Sequence, residues 1–255
     1  PQSVYGLSSS LAFHKDTVIF QFDQGSWAED ELSALLGLDG ATGSIIWRTG
    51  RPVGATWSSP VLVNTDGGTL LVTTGDPWVI AYEAASGLEI WRASGLAGDI
   101  GPSAVYADGK VFVTNETAKV MAIRVGGEGD VTKTHVVWTS DEATSDASSP
   151  VCDGKLFLQA NGTGDVSCFD AVAGKLLWEK SFACGFWASP TLVGDVVYLP
   201  GDDGKTRLIR LAGRYDLLGE NDLGEAVCAT PAFCDGKIYI RGGKHLFCVG
   251  AKESP

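Results

Sequence analysis

Eight side chains in this sequence have the types that suit a binding surface of aromatic plates and hydrogen-bond acceptors. Trp57 and Trp187 each stand three residues before a proline, in "WSSP" and "WASP". An indole stacks on a sugar ring or on an extended peptide, and neighbouring carboxylate or amide oxygens accept hydrogen bonds. We predict a binding surface with these members: Trp57, Asp76, Trp78, Asp99, Glu116, Asn161, Trp187 and Asp202.

Catalytic and metal-binding patterns are weak in the same sequence. The three histidines fall in different parts of the chain, and neither H-E-x-x-H nor C-x-x-C occurs. Asp202 and Asp203, in "PGDDGKT", are more typical of a turn than of an acid–base pair or a calcium loop. We therefore predict no catalytic residue and no metal ligand.

Charge and hydropathy exclude two classes of partner. The 255 residues include 19 basic and 31 acidic ones, a net charge of −12. No basic cluster interrupts that field, so the chain is not expected to bind nucleic acid. The acidic residues are densest in "WAEDEL", residues 27–32, which we interpret as solvated surface. No apolar run approaches the roughly 20 residues of a membrane span.

The elements that must position these side chains are given by an internal repeat. Five phrases such as "SSPVCDGKLFL" carry prolines spaced 42, 48, 40 and 41 residues apart: Pro60, Pro102, Pro150, Pro190 and Pro231. An earlier copy has Ser10 at the proline position, which makes six repeats. Each repeat contains four short alternating apolar segments joined by turn residues. A period of about 40 to 45 residues with four strands is typical of a propeller blade.

We therefore predict an all-β fold, a β-propeller of four-stranded blades with six blades in this chain. Residues 1–255 are expected to form a single propeller domain, with blades at about 8–50, 57–95, 99–141, 147–182, 186–222 and 227–252. In such blades the loops before the first strand and those between the second and third strands open on one face. Trp57 and Trp187 would then stand at the mouth of the central channel. The alternative is that both indoles simply fill the channel top.

A second phrase recurs at the end of three of the repeats. It reads "LDGATGSIIW" at 38–47, "YEAASGLEIW" at 82–91 and "FDAVAGKLLW" at 169–178. The acidic residue is expected to accept backbone N–H groups, and the glycine to supply a positive φ in the turn before the fourth strand. The tryptophan is expected to cover the join with the neighbouring blade. The phrase is thus predicted to be structural.

These phrases resemble the tryptophan-docking repeats of the quinoprotein (PQQ-type) β-propellers. That family includes methanol and alcohol dehydrogenases and also the non-enzymatic, BamB-type outer-membrane assembly lipoprotein. The resemblance covers residues 8 to 250 and looks closest to the PQQ-like repeat proteins abundant in planctomycetes. It is specific for the fold and nearly silent on function.

The repeats depart from the pattern in three places. The turn before Trp138 is enlarged, the fifth repeat has no tryptophan on its last strand, and the sixth stops at "HLFCVGAKESP" without a fourth strand. Relatives of this kind look like eight-bladed rings, so we expect the chain to be the C-terminal six-blade portion of a longer protein. The alternative is a closed six-bladed ring with one three-stranded blade.

The resemblance also implies what a dehydrogenase of this family would need. Such enzymes use two adjacent cysteines, a calcium site of Glu, Asn and Asp, and a catalytic Asp. No adjacent cysteines occur here, so we expect neither bound PQQ nor bound calcium. Cys152 and Cys234 fall on first strands, and Cys168 and Cys248 on third strands. Strands that flank a common neighbour lie too far apart for a disulfide. Cys184 and Cys228 lie in adjacent loops and could approach, but we expect these cysteines, like the others, to be reduced.

The resulting prediction is a non-enzymatic scaffold that works outside the cytoplasm of a bacterium, in the periplasm or at the cell surface. Its expected partner is a protein or peptide segment, with a glycan as a further candidate. Two alternatives stay open: a PQQ-dependent oxidoreductase whose other site residues lie outside this chain, and a glycan-binding or carbohydrate-active propeller.

Overall fold

The computed structural model describes residues 2–116 and 118–250. In those residues the fold is a β-propeller of six sheets, as predicted, whose blade strands pair antiparallel, and the helical content is one four-residue helix and one 3₁₀ turn. The chain divides into two compact units, residues 1–146 and 147–255. We call them the N-terminal and C-terminal units, and each contains three blades.

The N-terminal unit holds the first three blades. Blade 1 consists of β1 (Ala12–His14), β2 (Thr17–Phe22), β3 (Ala34–Asp39) and β4 (Ile45–Gly50), and the 3₁₀ turn Ala28–Asp30 lies between β2 and β3. Blade 2 consists of β5 (Val61–Thr65), β6 (Gly68–Gly75), β7 (Trp78–Glu83) and β8 (Glu89–Ser94). Blade 3 consists of β9 (Val105–Ala107), β10 (Lys110–Thr114), β11 (Val120–Arg124) and, after the insertion described below, a fourth strand at Val136–Ser140.

The predicted enlargement before Trp138 forms a small structure of its own. It contains β12 (Gly129–Asp130) and α1 (Thr132–His135), and the fourth strand of blade 3 follows as β13. β12 pairs in parallel with β8 and places Gly129 opposite Trp91. Val131, which follows β12, is buried in the same apolar cluster as Trp91. The insertion therefore covers the outer edge of blade 2, and Trp91 is completely buried.

The C-terminal unit holds the other three blades. Blade 4 consists of β14 (Val151–Cys152), β15 (Leu156–Ala160), β16 (Asp165–Asp170) and β17 (Leu176–Ser181). Blade 5 consists of β18 (Thr191–Val193), β19 (Val196–Pro200), β20 (Lys205–Arg210) and β21 (Leu217–Asp222). Blade 6 consists of β22 (Ala232–Cys234), β23 (Lys237–Arg241) and β24 (Leu246–Gly250). Through residue 250, the last one described, blade 6 has no fourth strand, as predicted.

The turn before the fourth strand has the predicted geometry. Gly43, Gly87 and Gly174 have φ angles of 71°, 71° and 70°. Each glycine N–H donates to the backbone carbonyl of the acidic residue four places earlier, at 2.8 Å in all three blades. The Asp39 carboxylate also accepts the N–H groups of Ala41 and Thr42. A positive φ favours glycine, which explains why the phrase recurs.

The tryptophans of the fourth strands pack against the third strand of their own blade and the turn of the next. A Cβ atom on Gly37 would lie 2.2 Å from the Trp47 ring, and one on Gly87 would lie 2.5 Å from it. Trp178 Nε1 donates to the carbonyl of Ala212, in the turn of blade 5, at 2.9 Å. The predicted structural role of these indoles agrees with those contacts.

The cysteines occupy the predicted strand positions. Cys152 and Cys234 end the first strands of blades 4 and 6, and Cys168 and Cys248 lie in third strands. Burial raises the pKa of Cys168 to about 12, so its thiol is protonated and unreactive at neutral pH. The structure has free thiols at Cys168, Cys184, Cys228, Cys234 and Cys248. No helix in the described part of the chain has the length and apolar character that a membrane crossing needs.

Candidate functional site

Two of the predicted acidic residues are brought together at the loop face of the N-terminal unit. Asp76 joins β6 to β7, and Asp99 lies in the loop that precedes β9. The N–H of Gly98 donates to Asp76 Oδ2 at 2.8 Å, which fixes the two loops side by side. The carboxylate of Asp99 is exposed to solvent.

Asn115 supports the Asp99 loop from below. Its Nδ2 donates to the carbonyl of Asp99 at 2.8 Å, and its Oδ1 accepts the N–H of Ala97 at 3.3 Å. The side chain of Asn115 is completely buried. Sequence reasoning did not assign it to the surface, because the contact joins residues 16 positions apart.

Trp57 lies beside the same loop. Its backbone N–H donates to the carbonyl of Ile100 at 2.9 Å. Its half-buried ring meets Tyr5 edge to face, with ring centroids 5.1 Å apart. In the described part of the chain the buried Nε1 of Trp57 has no hydrogen-bond partner. The indole is therefore packed on one neighbouring ring and adjacent to the acidic loops.

A buried polar network holds the loop that carries Trp57. Thr56 donates to Asp23 Oδ2 at 2.6 Å, and Arg51 Nε donates to Asp23 Oδ1 at 2.7 Å. The side chains of this ion pair are at most 1% exposed. Arg51 also donates to Thr73 and to the carbonyl of Thr74. Burial opposes the charge of Arg51, but the charge and hydrogen bond of Asp23 together with Tyr82 more than offset it, so the pKa of Arg51 lies above its ordinary value.

Trp27 is a member of the site that sequence reasoning missed. Its side chain is 70% exposed at the start of the 3₁₀ turn Ala28–Asp30. Asp30 Oδ2 accepts the N–H groups of Ser26 and Trp27, which fixes this segment. The length of its loop could have indicated Trp27. The loop joining β2 to β3 runs over residues 23–33, whereas the equivalent loop of blade 2 is residues 76–77. The "WAEDEL" stretch lies at the solvent surface, as interpreted, and it also lines a cavity.

Two adjoining cavities of about 430 and 740 Å³ form what we call the N-terminal cleft. The side chains lining it include both indoles and several carboxyl groups: Trp27, Glu29, Asp30, Trp57, Asp76 and Asp99. The lining contains no lysine, arginine or histidine. Carboxylates beside an exposed indole face attract a cation, because both the charge and the ring quadrupole favour it. The cleft is therefore suited to ammonium or guanidinium groups.

Two predicted members of the N-terminal unit lie outside this lining. Trp78 is the first residue of β7, and the Arg92 guanidinium lies 5.1 Å from its ring centroid. Arg92 is itself held by two 2.6 Å hydrogen bonds to Glu89. Glu116 is exposed, and its backbone carbonyl accepts the hydroxyl of Thr144 at 3.2 Å. Trp78 is thus occupied by an internal cation.

The predicted members of the C-terminal unit meet at one loop cluster. Asp202 and Gly185 exchange two hydrogen bonds of 3.0 Å, and Phe186 N–H donates to the carbonyl of Asn161 at 3.0 Å. Trp187 follows Phe186 and is 49% exposed. The Oδ1 of Asn161 accepts the Thr163 hydroxyl and the N–H of Asp165, so it closes its own turn. Most of these polar groups are engaged in shaping the loops.

An arginine lies beneath that cluster. The guanidinium of Arg207 is 4.8 Å from the ring centroid of Phe182 and 5.6 Å from that of Phe186. It donates to both carboxylate oxygens of Asp203, at 3.1 and 2.6 Å. These hydrogen bonds lower the pKa of Asp203. The C-terminal loop cluster therefore supplies its own cation to its own aromatic rings and carboxylate.

The described residues contain no cluster of side chains typical of a metal site. In residues 2–116 and 118–250, no three His, Cys, Asp or Glu side chains converge so as to hold a metal ion. The expectation that the chain binds neither PQQ nor calcium stays a prediction.

Comparison with known proteins gives one family. A model of the family described as outer membrane protein assembly factor BamB matches residues 29–128 and 127–215. A curated BamB of Nitrosomonas eutropha is 26% identical over 147 residues, which are 54% of this chain and 35% of that protein. The match thus spans about a third of the relative's length.

Solved structures show the same fold. The crystal structure of BamB from Moraxella catarrhalis superposes with a TM-score of 0.72 at 16% identity, covering 96% of this chain and 70% of that one. A computationally designed protein, Ika8, superposes with a TM-score of 0.67 at 15% identity, covering 92% of this chain and 67% of that one. At such low identity both likenesses bear on the fold alone.

Proposed function

Because the chain belongs to the family of outer membrane protein assembly factor BamB, we propose that it is a non-enzymatic scaffold that acts outside the cytoplasm in outer membrane protein assembly. The observation that carries this proposal is the family match over residues 29–215. The relative from Nitrosomonas eutropha, which bears the name of such an assembly factor, supports the same assignment.

The scaffold binds its partner in the N-terminal cleft. Support comes from the cavities there, from the exposed indole of Trp27 and from the carboxylates of Glu29, Asp76 and Asp99. Since no basic side chain lines the cleft, the fitting occupant is an extended protein segment that carries lysine or arginine. Each such side chain can stack on an indole while its charge faces a carboxylate.

Binding without catalysis is favoured by the chemistry of the lining. The hydroxyl groups in the cleft belong to Ser3 and Ser26, and no histidine or cysteine lines the cleft beside them. A serine nucleophile needs a base within hydrogen-bond reach that orients it. We assign the carboxylates to recognition of charge, because no basic side chain of the lining neutralises them.

The assignment is tested in a Gram-negative bacterium that lacks its own BamB. The chain, fused to an export signal, is expected to raise the amount of folded outer-membrane β-barrel protein, measured by heat-modifiable electrophoretic mobility. The matched control is the Glu29→Gln/Asp99→Asn double variant, which changes two exposed carboxylates and should restore less. If the exported chain is folded in the periplasm and barrel assembly does not rise, the proposed role is wrong.

A further inference from the structure

The acidic residue before the fourth strand has a different role in blade 2 from the one it has in blades 1 and 4. The Asp39 carboxylate in blade 1 and the Asp170 carboxylate in blade 4 each accept two backbone N–H groups of their own turn. Blade 2 has Glu83 at this position, and its longer side chain accepts the hydroxyl of Ser86 instead. Among the described residues, Glu83 takes part in no ion pair. The charge of this carboxylate is therefore available to a ligand.

The turn that follows the tryptophan of blade 2, in the next blade, also differs from its counterparts. Trp47 of blade 1 packs on the turn glycine of the next blade, Gly87, and Trp178 of blade 4 donates to Ala212 in the next turn. The corresponding turn of blade 3 is the enlarged one, and it leaves the sheet at residues 125–127, "VGG". A Cβ atom on the first glycine of this segment would meet nothing within 4 Å. The insertion therefore covers blade 2 at β12 but leaves open space where the insertion starts.

A cavity of about 270 Å³ lies among the β5–β6 turn, the β7–β8 turn and residues 125–127, and we call it the rim pocket. Four apolar side chains line it: Leu70, Ile90, Trp91 and Val125. Glu83 is the one charged side chain among the described residues of the lining. Leu70 and Glu83 pair between β6 and β7 at the opposite end of these strands from Asp76. The rim pocket is therefore separate from the N-terminal cleft.

The polar side chains of the rim pocket present hydrogen-bond acceptors. Thr65 donates its hydroxyl hydrogen to the carbonyl of Gly68 at 2.8 Å, and Thr69 donates its own to Asn64 Oδ1 at 2.9 Å. Each hydroxyl has then used its one hydrogen, so both threonine oxygens and the Glu83 carboxylate can only accept from a ligand. A ligand for this pocket therefore combines an apolar body with a donor, and the charge of Glu83 favours a cationic donor.

We propose that the rim pocket binds a small organic ammonium ion, in which a short chain joins one aromatic ring to a primary amine. The ring packs on Leu70, Ile90 and Val125, and the ammonium group donates to Glu83. The volume lies just below the range of about 300 to 1,000 Å³ that is typical of ligand sites, which suits one ring rather than two. An aromatic ring buries apolar area without rotatable bonds of its own, so its ordering costs little entropy.

The test compares two probes that share a ring and differ in charge. Phenethylamine and the neutral phenethyl alcohol are each titrated into the whole isotope-labelled chain, and the backbone amide signals are followed by NMR. The amine should shift the amide signals of Gly67, Gly126 and Gly127, which line the rim pocket. It should bind about fivefold more tightly than the alcohol, the upper range for an exposed ion pair.

A pair of matched variants locates the charge that the amine contacts. In Glu83→Gln the amine should bind no more tightly than the alcohol, and the affinity for the alcohol should stay unchanged. The control is Glu29→Gln, which removes an exposed carboxylate of the N-terminal cleft and should keep the preference for the amine. Because the Glu83 carboxylate accepts no backbone N–H of its turn, Glu83→Gln should unfold at the wild-type temperature.

Equal affinity of the wild-type chain for the amine and the alcohol overturns the proposal. So does a preference for the amine that is lost in Glu29→Gln and kept in Glu83→Gln, which would place the amine in the N-terminal cleft. Amide shifts confined to residues outside the rim pocket, or no shift at millimolar amine, would reject the site as well. Should Glu83→Gln not fold, the anionic analogue hydrocinnamate decides in the wild-type chain: it should bind more weakly than the alcohol, and tighter binding would reject the assigned charge.

Discussion

Trp57 and Trp187 occupy the same position of the repeat, yet their surroundings differ in charge. Around Trp57 the loops of the N-terminal unit form a cleft lined by indoles and carboxyl groups without a basic side chain. Around Trp187 the C-terminal unit places Arg207 over the rings of Phe182 and Phe186 and against Asp203. The loop face of the N-terminal unit leaves its aromatic and acidic groups open to a cation of a partner. In the C-terminal unit Arg207 is the cation that contacts the aromatic rings and the carboxylate.

The difference teaches that a repeat fixes where a side chain stands but not what it is available for. In the N-terminal unit one cation, Arg51, is buried under the loop face and forms an ion pair with Asp23. It positions the loop through Thr56 and leaves the carboxylates above it unneutralised. We therefore expect ligand binding on the loop face whose exposed carboxylates are not neutralised by an internal cation.

The largest expected effect concerns that buried cation. Replacing Arg51 with alanine should lower the free energy of unfolding by about 3 to 5 kcal/mol, because Asp23 would be left buried and unpaired. The measurement is urea denaturation followed by tryptophan fluorescence. Arg207→Ala is the matched control and should cost less, since its partner Asp203 is 29% exposed. Equal losses in the two variants would contradict the contrast between the two faces.

The next effect concerns binding by the exposed indole. A peptide of alternating arginine and glycine should bind the chain, and Trp27→Ala should weaken binding by about 1 to 3 kcal/mol if the indole is an anchor. Trp187→Ala, which removes the half-exposed indole of the other face, should leave the affinity unchanged. Isothermal titration calorimetry measures both. An acidic peptide and a linear maltooligosaccharide serve as comparison ligands, and tighter binding of the sugar would reject the cationic occupant.

A smaller effect concerns the salt dependence of that binding. Attraction between exposed charges is screened, so the affinity for the basic peptide should fall several-fold between about 50 and about 500 mM NaCl. Asp99→Asn, which removes one exposed carboxylate of the cleft, should make that fall shallower. Asp153→Asn, on an exposed turn of the C-terminal unit, should not. A salt response that is the same in all three proteins would place the peptide elsewhere.

The smallest effect concerns the internal cation of the C-terminal unit. Hydrogen bonds from Arg207 lower the pKa of Asp203 below its ordinary value of 3.8. The stabilisation is therefore complete above pH 3.8 and is lost as the pH falls through the folded-state pKa. At pH 6 the free energy of unfolding of the wild-type chain should exceed that of Asp203→Asn by about 1 kcal/mol, a magnitude typical of partly exposed ion pairs.

Thermal unfolding between pH 6 and pH 2 tests that difference. The difference in stability between wild type and Asp203→Asn should disappear as the pH falls toward 2. Arg207→Gln should abolish the same pH-dependent part of the wild-type stability. A gap that widens as the pH falls would reverse the assigned sign.

The fold was predictable because its determinants are local. The acidic residue and the glycine of "LDGATGSIIW" lie within five positions of each other, and their turn forms from backbone hydrogen bonds that any such segment can make. The period of the prolines then gives the number of blades. The missing tryptophan of blade 5 was also visible, although its compensation by Leu208 against Gly219 required the strand register.

The site was predictable in part. Trp57, Asp76 and Asp99 were predicted and do line one cleft. Trp27 was missed because it stands outside the repeated phrases, in the long loop of residues 23–33. Trp78 was predicted to belong to the binding surface, and the structure places the guanidinium of Arg92 5.1 Å from its ring centroid. The repeat spacing predicts where along a blade a residue lies, but it does not predict which side chains of other strands contact that residue.

The sequence by itself determined the blades, the turns, the structural tryptophans and the net charge, because each depends on residues near one another or on composition. The tertiary structure decided which charges are neutralised. Asp23 and Arg51 are 28 residues apart in the sequence, and Asp99 is hydrogen-bonded to Asn115, which lies 16 residues further along the chain. Coulomb and hydrogen-bond energies depend on separation in space and on burial, and no repeat period specifies these. The open acidic cleft is therefore a property of the folded chain.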